Sequence, residues 1–134
     1  MSLQPLGRAI KRIQHRHHRT LDTQLIELGT TLAQWDALRA ISEHPDSSSH
    51  ELALRTFQTD QSFGALANRM VDRNLIERTA GPGRAIHHSL TRAGQAMLEK
   101  GHRVADKMLA NSFAPLNASE RTTLLALLEK LLAD

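Results

Sequence analysis

The 134 residues predict a mainly α fold that carries a small β-hairpin. Three observations lead there. Apolar residues recur at steps of three and four through most of the chain, the spacing of a buried helix face. Residues suited to capping precede successive apolar runs at Thr31, Ser48, Thr59 or Asp60, Thr91 and Asn117. One Gly81-Pro82-Gly83 turn separates two short stretches that read as strands.

Composition bounds the rest. A chain of 134 residues suits one domain with a real core. Apolar residues make up 40%, and the mean hydropathy is −0.37, as in water-soluble globular proteins. Aromatics are only 3%, which argues against a single-strand binder built on stacking platforms. The absence of Cys excludes disulfides, thiolate metal sites and thiol redox switches. No run approaches the roughly 18 apolar residues of a membrane span. The N-terminus has no apolar core of a secretory signal, so a cytoplasmic location is expected. The net charge is +3, which permits a polyanionic partner without requiring one. Its distribution says more: Arg8, Lys11, Arg12, Arg16 and Arg19 meet no acid before Asp22, and Arg78 to Arg92 holds only basic charges.

The elements follow in order. Leu3, Leu6, Ile10, Ile13, His17, Leu21, Leu25 and Leu28 form one narrow stripe, and Gly29 is a natural stop. About 25 residues give a rod of roughly 40 Å at 1.5 Å per residue. Such a stripe suits packing along another helix, including one from a second chain. Thr31 with Gln34 reads as a capping box opening a second helix, whose inner face is Leu32, Trp35, Leu38 and Ile41 and which Pro45 ends. Ser48 with Glu51 caps a third, short helix with Leu52, Ala53 and Phe57 directed inward. A fourth helix buries Phe63, Leu66, Ala67 and Met70 and presents Gln61, Ser62, Ala65, Asn68, Arg69 and Asp72 on its other face. Asn74 can take the left-handed conformation that stops it. Leu75–Thr79 and Ala85–Leu90 read as strands, with residues 80–84 as the tip. Thr91 opens a fifth helix to about Asn111, and Pro115 follows it. Asn117 with Glu120 boxes a terminal helix whose leucines cover well over half its circumference. One-sided packing would leave many of them in water, which points to a dimer.

A short helix, a tight break, a second helix and a hairpin make a winged helix-turn-helix, here with N- and C-terminal dimerisation helices. In this order the chain resembles the MarR family of bacterial transcriptional regulators. The resemblance rests on Leu52-Ala53, on residues 68–78 (Asn68-Arg69-Met70-Val71-Asp72-Arg73-Asn74-Leu75-Ile76-Glu77-Arg78), on Ser89-Leu90-Thr91-Arg92-Ala93-Gly94 and on Leu116-Asn117-Ala118-Ser119-Glu120-Arg121. Each motif is weak alone; their order over nearly the whole chain is specific. The resemblance implies one domain, 1–134, with dimerisation helices at 1–29 and 91–134 and the winged unit at 31–90. It also implies a homodimer that represses nearby genes and is released by a small-molecule effector. The chain departs from the family in having Asn74 where Gly is frequent, Ala65 where a charge is frequent, and Gly83-Arg84 without the usual wing acid.

Duplex DNA is the expected partner, read at a pseudo-palindromic operator. A helix fits the major groove, where Gln61 and Asn68 can pair bidentately with adenine and Arg69 can take guanine or phosphate. Ser62 can reach a base or phosphate, and Ala65 permits close approach or touches a thymine methyl. Arg84 on the turn can enter a narrow minor groove. Ser48 and Ser49 sit at a helix N-terminus suited to phosphate. The plainer readings are a solvated helix face, an exposed loop arginine and simple capping.

Eight histidines raise metal binding, but no Cys and no His-Glu-x-x-His pattern accompany them, so no metal ligands and no cofactor are assigned. His17 falls in the apolar stripe; it is either a core or dimer-seam histidine or, with Trp35, part of an effector pocket. Two further readings stay open from the residues: a winged-helix protein-interaction module without DNA, and a histidine-ligated metal-responsive regulator. No nucleophile–base pair, phosphate loop or carboxylate cluster is legible, so an enzyme is not expected.

Overall fold

A computed structural model describes residues 1–81, 83 and 86–134. Among them the chain forms α1 (Gln4–Glu27), α2 (Leu32–Glu43), α3 (Ser49–Arg55), α4 (Asp60–Asp72), β1 (Ile76–Ala80), β2 (Ile86–Leu90), α5 (Arg92–Ser112) and α6 (Ala118–Leu132). The mainly α fold with a small hairpin is as the sequence predicts.

The side-chain caps set the starts. Thr31, Ser48, Thr59, Thr91 and Asn117 each accept a backbone N–H three residues on, which satisfies one donor of the open first turn. The reciprocal box forms at Ser48–Glu51 and Asn117–Glu120. It does not form at Thr31, because Gln34 is buried and its amide oxygen is taken by other donors. α2 ends at Glu43, and His44, the residue before Pro45, has left the helical region at φ −133° and ψ 67°, as the steric clash with a following proline favours. Asn74 ends α4 in the left-handed region at φ 58°.

Two further expectations are corrected. Phe57 does not point inward. It stands at φ 57° and is 96% exposed, because the turn between α3 and α4 needs a left-handed residue there, which swings the ring outward. The first strand begins and ends one residue later than expected, since the antiparallel register pairs Ile76 with Leu90 and Ala80 with Ile86 and leaves Leu75 outside it; Ala85, the expected start of the second strand, lies outside the described residues.

One core joins α2, α3 and α4 to β1, α5 and the C-terminal end of α1. Its fully buried members include Leu25, Leu38, Leu52, Phe63, Met70 and Ile76. The outer parts of the chain differ. Only Leu21 and Leu25 of α1 are buried, while Leu3, Leu6, Ile10 and Ile13 are exposed. In α6 no residue is buried, and Leu131 and Leu132 are 71% and 81% exposed. The apolar stripe of the N-terminal half of α1 and the leucines of α6 thus find little to cover them within one chain.

Candidate nucleic-acid interface

α4 is held by its apolar side. Phe63, Leu66, Ala67 and Met70 are buried at i, i+3, i+4 and i+7, and Gln61, Ser62, Ala65, Asn68 and Arg69 are all exposed on the opposite side. Among the described residues Gln61, Asn68 and Arg69 make no side-chain hydrogen bond within the chain, so their donors and acceptors are open to a ligand. Ser62 differs: its hydroxyl donates to Gln58 Oε1 at 3.2 Å, and Gln58 Nε2 donates to Thr56 Oγ1 at 3.0 Å.

The N-terminus of α3 lies close to that of α4. His50 Nδ1 and Asp60 Oδ1 are 2.8 Å apart, joining the two exposed helix starts. Ser48 is committed to its capping box, both accepting from Glu51 N at 3.1 Å and donating to Glu51 Oε1. Ser49 is exposed. In the hairpin, Gly83 supplies φ 71° for the turn. Arg84, the expected wing contact, lies outside the described residues.

The hairpin is anchored to α4 by a histidine of β2. His88 is 4% exposed and meets Phe63 edge-on at 5.9 Å between ring centroids. Its Nδ1 is buried without a hydrogen-bond partner among the described residues. Burial first, then Arg78 and His87, hold its pKa below the ordinary 6.5. Arg78 faces His88 across the strands.

A second site lies away from α4. A cavity of about 750 Å³ is bounded by α1, α2, α5 and α6. Its walls are mostly apolar and include Leu21, Trp35, Met108 and Phe113. Both residues singled out for an effector pocket, His17 and Trp35, line it. His17 Nε2 shares a 2.6 Å hydrogen bond with Ser112 Oγ and lies edge-on to Phe113. The Trp35 indole donates to the Leu98 carbonyl at 3.2 Å and rests on Gly101, where a Cβ would come within 2.1 Å of the indole nitrogen. Sequence reasoning missed Ser112 because a single serine at a helix end carries no periodic signal. Among the described residues no three His, Cys, Asp or Glu side chains converge as a metal site. Also among them, no helix is long and apolar enough to cross a membrane.

Comparison with known proteins adds the following. A family model described as MarR family matches residues 28–85. The HTH-type transcriptional repressor Rv2887 of Mycobacterium tuberculosis is 30% identical over 132 residues, spanning 97% of this chain and 95% of its own. The HTH-type transcriptional repressor NicR of Pseudomonas putida is 28% identical, spanning 95% of this chain and 82% of its own. Among solved structures, a mutant MarR from E. coli complexed with operator DNA superposes with a TM-score of 0.85 at 27% identity, covering 96% of this chain and 94% of that one. The Mycobacterium tuberculosis MarR family protein Rv2887 in complex with p-aminosalicylic acid gives 0.80 at 29% identity, covering 96% and 99%.

Proposed function

The chain belongs to the MarR family, and from that premise we propose that it is a homodimeric, sequence-specific DNA-binding transcriptional regulator, a repressor released by a small-molecule effector. The observation that carries the reading is the exposed side of α4, where amide, hydroxyl, methyl and guanidinium groups stand together on a helix fixed by its buried side. That is the donor and acceptor mixture needed to read base edges in a major groove. Gln61, Asn68 and Arg69 are the proposed base or phosphate contacts, with Ser62 and Ala65 beside them. Ser48 and Ser49 would meet phosphate through backbone N–H groups, and Arg84 would reach the minor groove.

Residues 31–90 form the reading unit in this proposal, and 1–29 with 91–134 join two copies. The uncovered leucines of α6 and the exposed stripe of α1 support it, since a second copy would remove them from water. Two α4 helices related by a twofold axis require a pseudo-palindromic site with half-sites about one helical turn apart. A regulator of this kind works in the cytoplasm, and no catalytic step is assigned to it.

The cavity beside His17 and Trp35 is the proposed effector pocket. Rv2887 has been crystallised with salicylic acid and with p-aminosalicylic acid. A small aromatic acid suits a space with apolar walls and one polar pair, His17 and Ser112. Footprinting on the DNA flanking the gene tests the whole reading. Two protected half-sites one turn apart, lost on adding salicylate, are expected; unprotected DNA at every protein concentration contradicts it.

A further inference from the structure

Arg73 follows the last turn of α4, where a basic side chain would ordinarily be counted as a phosphate contact. Its guanidinium turns the other way. Arg73 Nη1 donates to Gln34 Oε1 at 3.2 Å, across 39 positions of sequence. The same oxygen accepts the Thr30 hydroxyl at 3.0 Å. Gln34 and Thr30 are 5% and 2% exposed, so the acceptor is shielded from competing water. A charged donor on a shielded amide oxygen is among the stronger kinds of hydrogen bond, and leaving that oxygen with one donor fewer is costly.

Gln34 is the neighbour of Trp35, whose ring lines the cavity. The same end of α2 is held to α1 by Leu32 N donating to Asp22 Oδ1 at 2.9 Å, and to α5 by the indole bond to Leu98. The start of α2 is therefore one rigid piece with three ties: to α1, to α5, and to the C-terminal end of α4. From these contacts we infer that Arg73 is a positioning residue. Its bond to Gln34 ties the orientation of the recognition helix to the cavity-lining end of α2. Whatever moves Trp35 within the cavity moves the acceptor of Arg73, and DNA seated on α4 acts on Trp35 by the same route, because coupling between two sites is reciprocal.

The inference rests on the DNA-binding reading, and the test separates the two. The probe is a labelled duplex of the DNA flanking the gene, titrated over a salt series with the full-length protein. Arg73→Met and Gln34→Leu are each expected to weaken binding about tenfold, with the dependence of log K on log salt as steep as in wild type. A lost phosphate contact would instead reduce that slope by about one. Trp35 is the sole tryptophan. Saturating duplex should shift its emission in wild type, and the shift should vanish in both variants at saturation. Gln34→Glu, which gives Arg73 a carboxylate, should retain the shift. Thermal unfolding of the two single variants and the double variant should be non-additive. A slope reduced by one in Arg73→Met, or an emission shift unchanged in the variants or absent in wild type, overturns the inference and leaves DNA binding standing. Failure of the wild-type protein to bind any flanking duplex overturns the functional reading, and this inference with it.

Discussion

The carbonyl oxygen of Leu75 lies against the Cα of Gly94, so closely that a Cβ on Gly94 would stand 1.9 Å from it. The same oxygen accepts the Thr91 N–H at 3.1 Å, and the Thr91 hydroxyl donates to the Asn74 carbonyl at 2.6 Å. The end of α4, the start of the hairpin and the start of α5 therefore meet at one point. Gly94→Ala must push backbone apart there, since no flexible side chain can yield. A loss of about 2 kcal/mol or more is expected in chemical denaturation, on the scale of an overpacked core, with weaker DNA binding because the hairpin is displaced relative to α4.

Phe57 is strained and exposed at once. A non-glycine residue at φ 57° costs on the order of 1–2 kcal/mol, and a ring 96% exposed recovers none of it by burial. Glycine would add some freedom to the unfolded chain, which offsets part of the gain. Phe57→Gly should raise stability by roughly 0.5–1 kcal/mol, read as a higher midpoint in thermal unfolding. An unchanged or lower midpoint would mean the ring has a partner.

His88 gives stability a pH dependence of defined sign. Its folded pKa lies below 6.5, so the unfolded chain takes up the proton first as pH falls. The contribution is present above 6.5 and is lost as pH drops below it, towards the folded pKa. His88→Leu keeps an apolar contact on Phe63 and removes the orphaned nitrogen. Its stability should fall less than wild type as pH is lowered through 6.5, with the two curves parallel above. Parallel curves throughout would mean that His88 takes up no proton on unfolding in this range.

The leucines of α6 should answer to oligomeric state. Leu127 and Leu131 are 55% and 71% exposed in one chain. Glutamate at both would place charge in a face that a second copy covers. Light scattering should then report half the wild-type mass. An unchanged mass would place the dimer contact elsewhere.

Much of the fold was legible, because the caps and helical spacing act locally. Thr91, Ser48 and Asn117 announce their helices by chemistry that needs only three or four neighbours. The readings at Gln34 and Phe57 failed for a common reason. Gln34 has the right spacing for a capping box, yet Arg73 and Thr30, brought in by tertiary packing, take its oxygen. Phe57 looked like a core aromatic, yet the turn geometry dictated its backbone and so its direction. The exposed face of α4 could be read from spacing, because the buried side fixes the open one. The meeting of His17 with Ser112, 95 positions apart, could not, because no local pattern links them.

The central claim is that the exposed side of α4 reads duplex DNA. Anisotropy titrations of wild type and Asn68→Ala, against the flanking duplex and a mixed-sequence duplex over a salt series, test it most directly. Binding should weaken steeply with salt for both proteins, as phosphate contacts require. Asn68→Ala should lose about 1–3 kcal/mol of preference for the flanking duplex while unfolding at the same temperature as wild type. Equal preference in the two proteins, together with binding indifferent to salt, would contradict the account.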